Sequence, residues 1–496
     1  MTTLAAASPG DADTLDPNRW AALAVLLTGA FLAPLDFFIV NNAMPVITAG
    51  LGATAAEVQL VISGYAVVYA VFLITGGRLG DIYGRKSVFL IGLGGFALAS
   101  ALCGLAWSPR SLILARLLQA LAAAALAPQA LASVHALFPS HERGRALGIY
   151  GVTLGLSSIV GQLLGGALVG ADIGGFGWRL IFLINVPIVA ATILAAVPYL
   201  RETRGAHRPK LDFGGVLLSS AALTSLVVPL VEGRARGWPL WSLAMLLTTP
   251  LLIEAFRRYE IRLAKAGGDP LIAIEVFASP GLLRGIGAIM TLYAMATFFL
   301  TYSIYLQSAL RFTAWQAGLS ILPFSAGFLV ASTFSAAIGR WLGVSAPSLG
   351  FVLSATGSVA TALVVAHGTA GTVPPWPLIV PSLALIGFGM GLSIPTMMRV
   401  IVERVAPQHA GLVGGMFNST LQVSAAVGIA VLGGLFYAAL GTRNDPAAVT
   451  HAFSITLLAI AACHAGGALL AAGLGQRRAT ALPMPSPSPT ACPNLR

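Results

Sequence analysis

Two charged side chains stand inside stretches that are otherwise apolar, and any chemistry starts with them. Asp36 lies about 11 residues from the far end of the first apolar run, roughly 16 Å deep at 1.5 Å per helical residue. A carboxylate at that depth costs about 2.5–3.5 kcal/mol on insertion scales, so it must face a cavity or a partner. Burial favours the protonated form of a carboxylate and a nearby cation favours the ionised form, so such a group is able to titrate during a working cycle. Its other fate is permanent pairing that locks helices together. Arg116 stands five residues inside the fourth apolar run and keeps its charge at any relevant pH. It either partners a carboxylate or snorkels outward to loop carbonyls. Helical counting puts Asp36 and Arg116 about 8 Å apart in depth, which leaves their contact open. A third concentration is Gly77-Arg78-Leu79-Gly80-Asp81-Ile82-Tyr83-Gly84-Arg85-Lys86, four charges and three glycines in a tight link between two apolar runs.

The surroundings of these residues set the solvent. The chain is 57% hydrophobic and 9% charged, with a mean hydropathy of +0.86. Soluble domains carry about 25% charged residues, so this is a membrane chain. Net charge is +11, yet the basic residues fall in short links between apolar runs, as the positive-inside rule requires, which argues against nucleic acid as partner. The 3 cysteines, Cys103, Cys463 and Cys492, give no disulfide framework. The polar start with Asp11, Asp13 and Asp16 does not read as a signal peptide, so the first run is expected to stay as a span. No P-loop, H-E-x-x-H, C-x-x-C or Rossmann fingerprint occurs, which predicts no enzyme, no metal and no cofactor.

Apolar runs long enough to cross about 30 Å of hydrocarbon recur along the chain. The reading predicts an all-α polytopic membrane protein with 14 transmembrane helices, at 21–47, 57–77, 87–107, 111–138, 146–169, 180–200, 213–231, 239–256, 285–306, 316–341, 348–366, 377–398, 413–440 and 452–475. With both termini cytosolic, twenty-one of the 28 Lys and Arg fall on the cytosolic side. Basic stretches at 201–212 and 256–284 divide the chain 6 + 2 + 6. The expected parts are a cytosolic tail (1–20), a six-helix half (21–200), an inserted two-helix hairpin with its basic loops (201–284), a second six-helix half (285–475) and a disordered cytosolic tail (476–496).

The link at 77–86 resembles the loop signature of the major facilitator superfamily, G-x-L-x-D-x-x-G-R-[RK], between its second and third helices. Further segments resemble its fourteen-helix drug:proton antiporter branch, the multidrug and antibiotic efflux type. Leu35-Asp36-Phe37-Phe38-Ile39-Val40-Asn41-Asn42-Ala43-Met44-Pro45 is similar to L-D-x-T-V-V-N-V-A-L-P. Arg116 and Gln119 fall in R-x-x-Q-G, with Ala120 in place of glycine. Gly177-Trp178-Arg179-Leu180-Ile181-Phe182-Leu183-Ile184-Asn185-Val186-Pro187 is a close match to the entry of helix 6. The fifth span keeps Gly155, Gly161, Gly165 and Gly166 of G-x-x-x-G-P-x-x-G-G, but Gln162 replaces the proline that bends that helix. The second-half loop, Gly339-Arg340-Trp341-Leu342-Gly343, lacks the acid and the basic pair.

The resemblance implies two six-helix halves working by alternating access, with substrate near the midplane. It implies proton-coupled efflux of small amphipathic or cationic compounds through the plasma membrane of a bacterial-type cell, by a monomer, with a proton gradient as the driving force. Asp36 would carry the proton with Arg116 as its electrostatic partner. Gly77, Asp81, Gly84, Arg85 and Lys86 would form a cytosolic latch. Phe37, Asn41, Gln119, Gln162, Gln307 and Asn418 are candidate path residues, each equally explained by interhelical hydrogen bonding or packing. Two alternatives stay open: a dedicated exporter or importer of one metabolite, and a non-transporting lipid-handling or sensor protein on the same fold.

Overall fold

Helix starts in this chain are written in side-chain chemistry. Thr54 accepts from the Glu57 amide while the Glu57 carboxylate returns to the Thr54 amide at 2.9 Å. The same reciprocal cap recurs at Ser108 with Ser111 and at Thr313 with Gln316, satisfying orphan donors that would otherwise face hydrocarbon. The computed structural model describes residues 16–474, apart from 205–209, 234–235, 272–280, 293, 369–370, 405–409 and 444; within helices the side chains of 135, 140–141, 143–144, 147–148, 154–155, 158 and 410–415 lie outside the description. The expected tails therefore lie almost wholly outside it.

The first group of helices comprises α1 (Arg19–Leu51), α2 (Ala55–Tyr83), α3 (Arg85–Gly104), α4 (Pro109–Leu137), α5 (Ser140–Ala171), α6 (Leu180–Leu183) and α7 (Asn185–Tyr199). A hairpin of α8 (Phe213–Val228) and α9 (Leu240–Lys265) follows. The second group is α10 (Leu282–Leu292), α11 (Met295–Ile304), α12 (Ala314–Leu319), α13 (Leu322–Leu342), α14 (Ala346–His367), α15 (Trp376–Val402), α16 (Ala410–Leu440) and α17 (Pro446–Ala472). Among the described residues twelve helical segments are long and apolar enough to cross a membrane. One of them, Ala314–His367, contains α12, α13 and α14, with a 3-10 turn at Gly343–Ser345 between the last two.

Packing repeats between the groups. In the first, α2 and α3 lie on α4; in the second, α13 and α14 lie on α15. The interiors are apolar and aromatic, as in the cluster of Phe298, Phe299, Tyr302, Phe324 and Phe453. Outward faces are apolar too: Leu98, Trp107, Leu240 and Trp341 are exposed, as lipid contact demands. The hairpin is largely unburied, and its α8 lies against both α2 and α16.

Two expected spans carry local irregularities. The expected span 180–200 corresponds to the apolar segment Gly177–Tyr199, where Pro187 has no N–H for the Leu183 carbonyl and Ile184, between α6 and α7, keeps helical dihedrals. The expected span 285–306 falls within the segment Leu282–Ala309, which ends in a π-helical turn, Tyr305–Ala309.

Candidate functional site

Asp36 sits in α1 two residues after Pro34, and its side chain is fully buried at the junction of α1 with α4, α3 and α7. Arg116, on the third turn of α4, is buried as completely, and its Nη1 pairs with Asp36 Oδ2. Counting along helices measures Cα positions, and the arginine stem carries the guanidinium away from its own Cα. Two amides complete the cage. Gln119 Nε2 donates to Asp36 Oδ1 at 2.8 Å and Asn185 Nδ2 donates to the same oxygen at 3.0 Å. Behind them, Gln119 Nε2 also donates to Ser100 Oγ at 2.8 Å, and Gln119 Oε1 accepts from Arg116 Nη1 at 2.6 Å. The guanidinium lies 4.2 Å from the centre of the Tyr65 ring, a face that attracts a cation. Arg116 Nη2 is buried without a hydrogen-bond partner.

This is a dry carboxylate ringed by donors. Every polar neighbour that touches its oxygens favours the charged form, while burial favours the neutral one. The opposition lets a modest rearrangement decide whether the group holds a proton. Nothing in the arrangement places a nucleophile beside a base, and among the described residues no cluster of metal-ligating side chains occurs.

The second charged motif lies at the opposite end of α2. Asp81 Oδ1 pairs with Arg85 Nη2 at 3.0 Å, and Arg85 Nη1 donates to the Ala132 carbonyl on α4 at 3.0 Å. Gly84 ends α2 and opens α3 at a φ of 107°, a backbone that side chains rarely adopt. A side chain there would also strike the Glu202 carboxylate. Glu202 accepts from the Lys86 and Ser87 amides at 3.0 and 3.1 Å, capping α3. Lys86 Nζ reaches the Val197 carbonyl at 2.9 Å. Gly77 faces Pro128 of α4. Arg78 reaches over to the hairpin linkers, donating to the carbonyls of Lys210, Asp269 and Pro270.

The remaining candidates separate into groups. Asn42 Nδ2 donates to the Gln162 carbonyl at 2.8 Å, and the Asn42 carbonyl accepts from Gln307 Nε2 at 3.0 Å, which ties α5, α1 and the turn after α11 together. Gln162 is buried and its Nε2 finds no partner. Gly161 and Gly165 bring α5 onto the α1 backbone at Leu35 and Ile39, while Gly166 meets Ala314 of the second group. The surroundings of Gly155 lie outside the described residues. Phe37 packs edge-to-face on Phe38. Asn41 Nδ2 bonds the carbonyls of Phe37 and Phe38 on its own helix. Asn418 is exposed on α16.

Reading the sequence missed Asn185, Ser100 and Glu202 as parts of these sites. Asn185 carried a signal, a polar residue in an apolar run just before a proline. Glu202 carried little: one acid among basic neighbours.

Residues 26–429 match the family profile of the Major Facilitator Superfamily. The chain is similar to the probable actinorhodin transporter of Streptomyces coelicolor, 36% identical over 86% of this chain and 74% of that protein. It is 32% identical to the tetracenomycin C resistance and export protein of Streptomyces glaucescens, covering 87% and 78%. It is 30% identical to the methylenomycin A resistance protein of Streptomyces coelicolor, covering 93% and 92%. Among solved structures, a bacterial homologue of the human lysosomal transporter Spinster, inward-facing and unoccupied, aligns with a TM-score of 0.61 over 92% of this chain and 96% of that one at 18% identity. A POT-family peptide transporter aligns at 0.65 over 92% and 97%, with 16% identity. These structures share the fold.

Proposed function

The chain belongs to the Major Facilitator Superfamily, and from that premise we propose that it exports small, antibiotic-like molecules by alternating access, with protons flowing inward through Asp36. The relatives named above are export and resistance proteins, and a transporter of this kind moves its substrate without transforming it. The observation that carries the coupling is the fully buried Asp36–Arg116 pair inside a ring of amide donors. A carboxylate so placed has no structural need to be charged. Replaced by an apolar residue, a buried ion pair is often no loss to stability.

A fourteen-span, 6 + 2 + 6 organisation fits the remaining detail. Ala314–His367 turns back at Gly343–Ser345, giving two crossings, and α5 is 32 residues long with an apolar stretch at Ile159–Ala171. The basic bias of the links favours a plasma membrane with both termini in the cytosol. In that orientation the contacts between halves at Gly166–Ala314, Gln307–Asn42 and Gly433–Gln59 lie at the external end, which supports reading the arrangement as a cytosol-facing state. Asp81 and Arg85 then form a latch at rest, paired with each other.

The test is efflux into energised inverted vesicles. Wild type accumulates substrate when a proton gradient is imposed, and Asp36→Asn does not, although it still exchanges substrate. Gradient-driven accumulation by Asp36→Asn at the wild-type level rejects Asp36 as the coupling site.

A further inference from the structure

The two amides that hold Asp36 are alike in chemistry and unlike in constraint. Gln119 is fixed at both ends. Its Nε2 donates to Asp36 Oδ1 and Ser100 Oγ, and its Oε1 accepts from Arg116 Nη1 and, at 3.7 Å, from Cys103 Sγ. Asn185 is held at one end only. Its Nδ2 lies 3.0 Å from Asp36 Oδ1 and 3.4 Å from Ser100 Oγ, while its Oδ1 is buried and meets no donor. Buried acceptors are nearly always satisfied, so an orphan at the centre of a charged site needs a reason. Asn185 is also the first residue of α7, two residues before Pro187.

We propose that Asn185 is a positioning residue whose amide turns over when Asp36 takes up a proton, an inference that rests on Asp36 being the coupling group. An ionised Asp36 accepts only, and Asn185 offers it Nδ2. When a proton from water binds Oδ1, the new O–H needs an acceptor. A half turn of the amide exchanges its two ends, so that Asn185 Oδ1 accepts from the carboxyl O–H. Ser100, which now accepts from Nδ2, turns its own hydroxyl proton toward Asn185 Oδ1. Gln119 cannot follow, because turning it would set its NH2 against the Arg116 guanidinium, donor to donor. The ionisable groups that face Asp36 are Arg116 on α4, Tyr65 on α2 and Cys103 on α3. Arg116 has no acceptor, and the Tyr65 hydroxyl and the Cys103 thiol are turned to the Ala33 carbonyl and to Gln119, with no hydrogen bond to Asp36. The O–H bond is the one bond made, and it is broken when the proton returns to water.

Infrared difference spectroscopy of the full-length carrier in liposomes, titrated with pH, reads both groups. The carboxylic C=O band absent from Asp36→Asn belongs to Asp36. In Asn185→Leu that band moves to the higher frequency of a carboxyl with no acceptor, while its midpoint pH changes little, since the side chain stabilises both states. In Gln119→Leu the midpoint moves up by about one to two pH units, because a donor to the charged form alone has gone. Wild type carrying 13C-labelled asparagine side-chain amides shows a labelled band that titrates with the Asp36 band, which needs no variant to fold. A labelled band that stays still overturns the switch, as does an Asn185→Leu midpoint that moves like that of Gln119→Leu. If no carboxylic band belongs to Asp36 at any pH that supports transport, the coupling role of Asp36 fails first.

Discussion

Two of the protein's aspartate–arginine pairs lie near opposite ends of α2. Asp36 and Arg116 come from different helices, and both side chains are 0% exposed. Asp81 and Arg85 are one turn apart in sequence, and their side chains are 33% and 15% exposed. The charges are the same, but the solvent differs. At the half-exposed pair water and salt already stabilise each ion, and the net contribution of such a pair is about 0–1 kcal/mol. In the buried pair each ion depends on its neighbours, and losing one partner costs about 3–5 kcal/mol. A weak, wet pair suits a contact that must open in every cycle. A dry one suits a group whose charge itself must change.

The sharpest way to break this comparison is Asp36→Asn, expected to abolish uphill export in energised vesicles. If coupling survives, the buried pair is structural. Next is Arg116→Ala, which leaves the buried carboxylate without its cation. Melting in detergent should reveal a loss of about 3–5 kcal/mol, and the pH profile of transport should move alkaline as Asp36 protonates more readily. An unmoved profile would mean that the two residues act independently. Asp81→Asn and Arg85→Ala should leave insertion and melting near normal. They should shift the balance of conformations by about 1–3 kcal/mol, a 5- to 150-fold effect on transport at matched expression. Raising the ionic strength should mimic them in wild type, since screening reaches the exposed pair and not the buried one. Smallest is Glu202→Gln, which weakens an anion at the N-terminus of α3 and should cost about 0.3–1 kcal/mol in a melting assay.

Much of this was legible in the chain. A charge in an apolar run announces itself, so Asp36, Arg116 and the 77–86 link stood out from residue type alone. The cage around Asp36 did not. Asn185 lies 149 residues from Asp36, and an amide in an apolar run reads equally well as packing or as function. Rotation about a helix axis was illegible for another reason. Each residue turns the face by about 100°, so a boundary error of two residues moves a side chain to the far side. That Asn42 bridges the two groups of helices could not be read from its place in the first apolar run. The π-helical turn at Tyr305–Ala309 was missed because apolar periodicity runs straight through it.

The bridge from Gln307 to the Asn42 carbonyl sets a scale for the work of each cycle. One elementary charge crossing 100 mV of membrane potential releases about 2.3 kcal/mol. A hydrogen bond of this neutral kind contributes about 0.5–1.5 kcal/mol. In the proposed cycle, breaking a contact of that size is within the reach of a single proton's descent, and the glycine-to-backbone approach of Gly166 to Ala314 adds no ion pair to the joint. A buried ion pair there, at about 3–5 kcal/mol for losing one partner, would exceed it, and a proton-driven carrier would stall with its outer door shut.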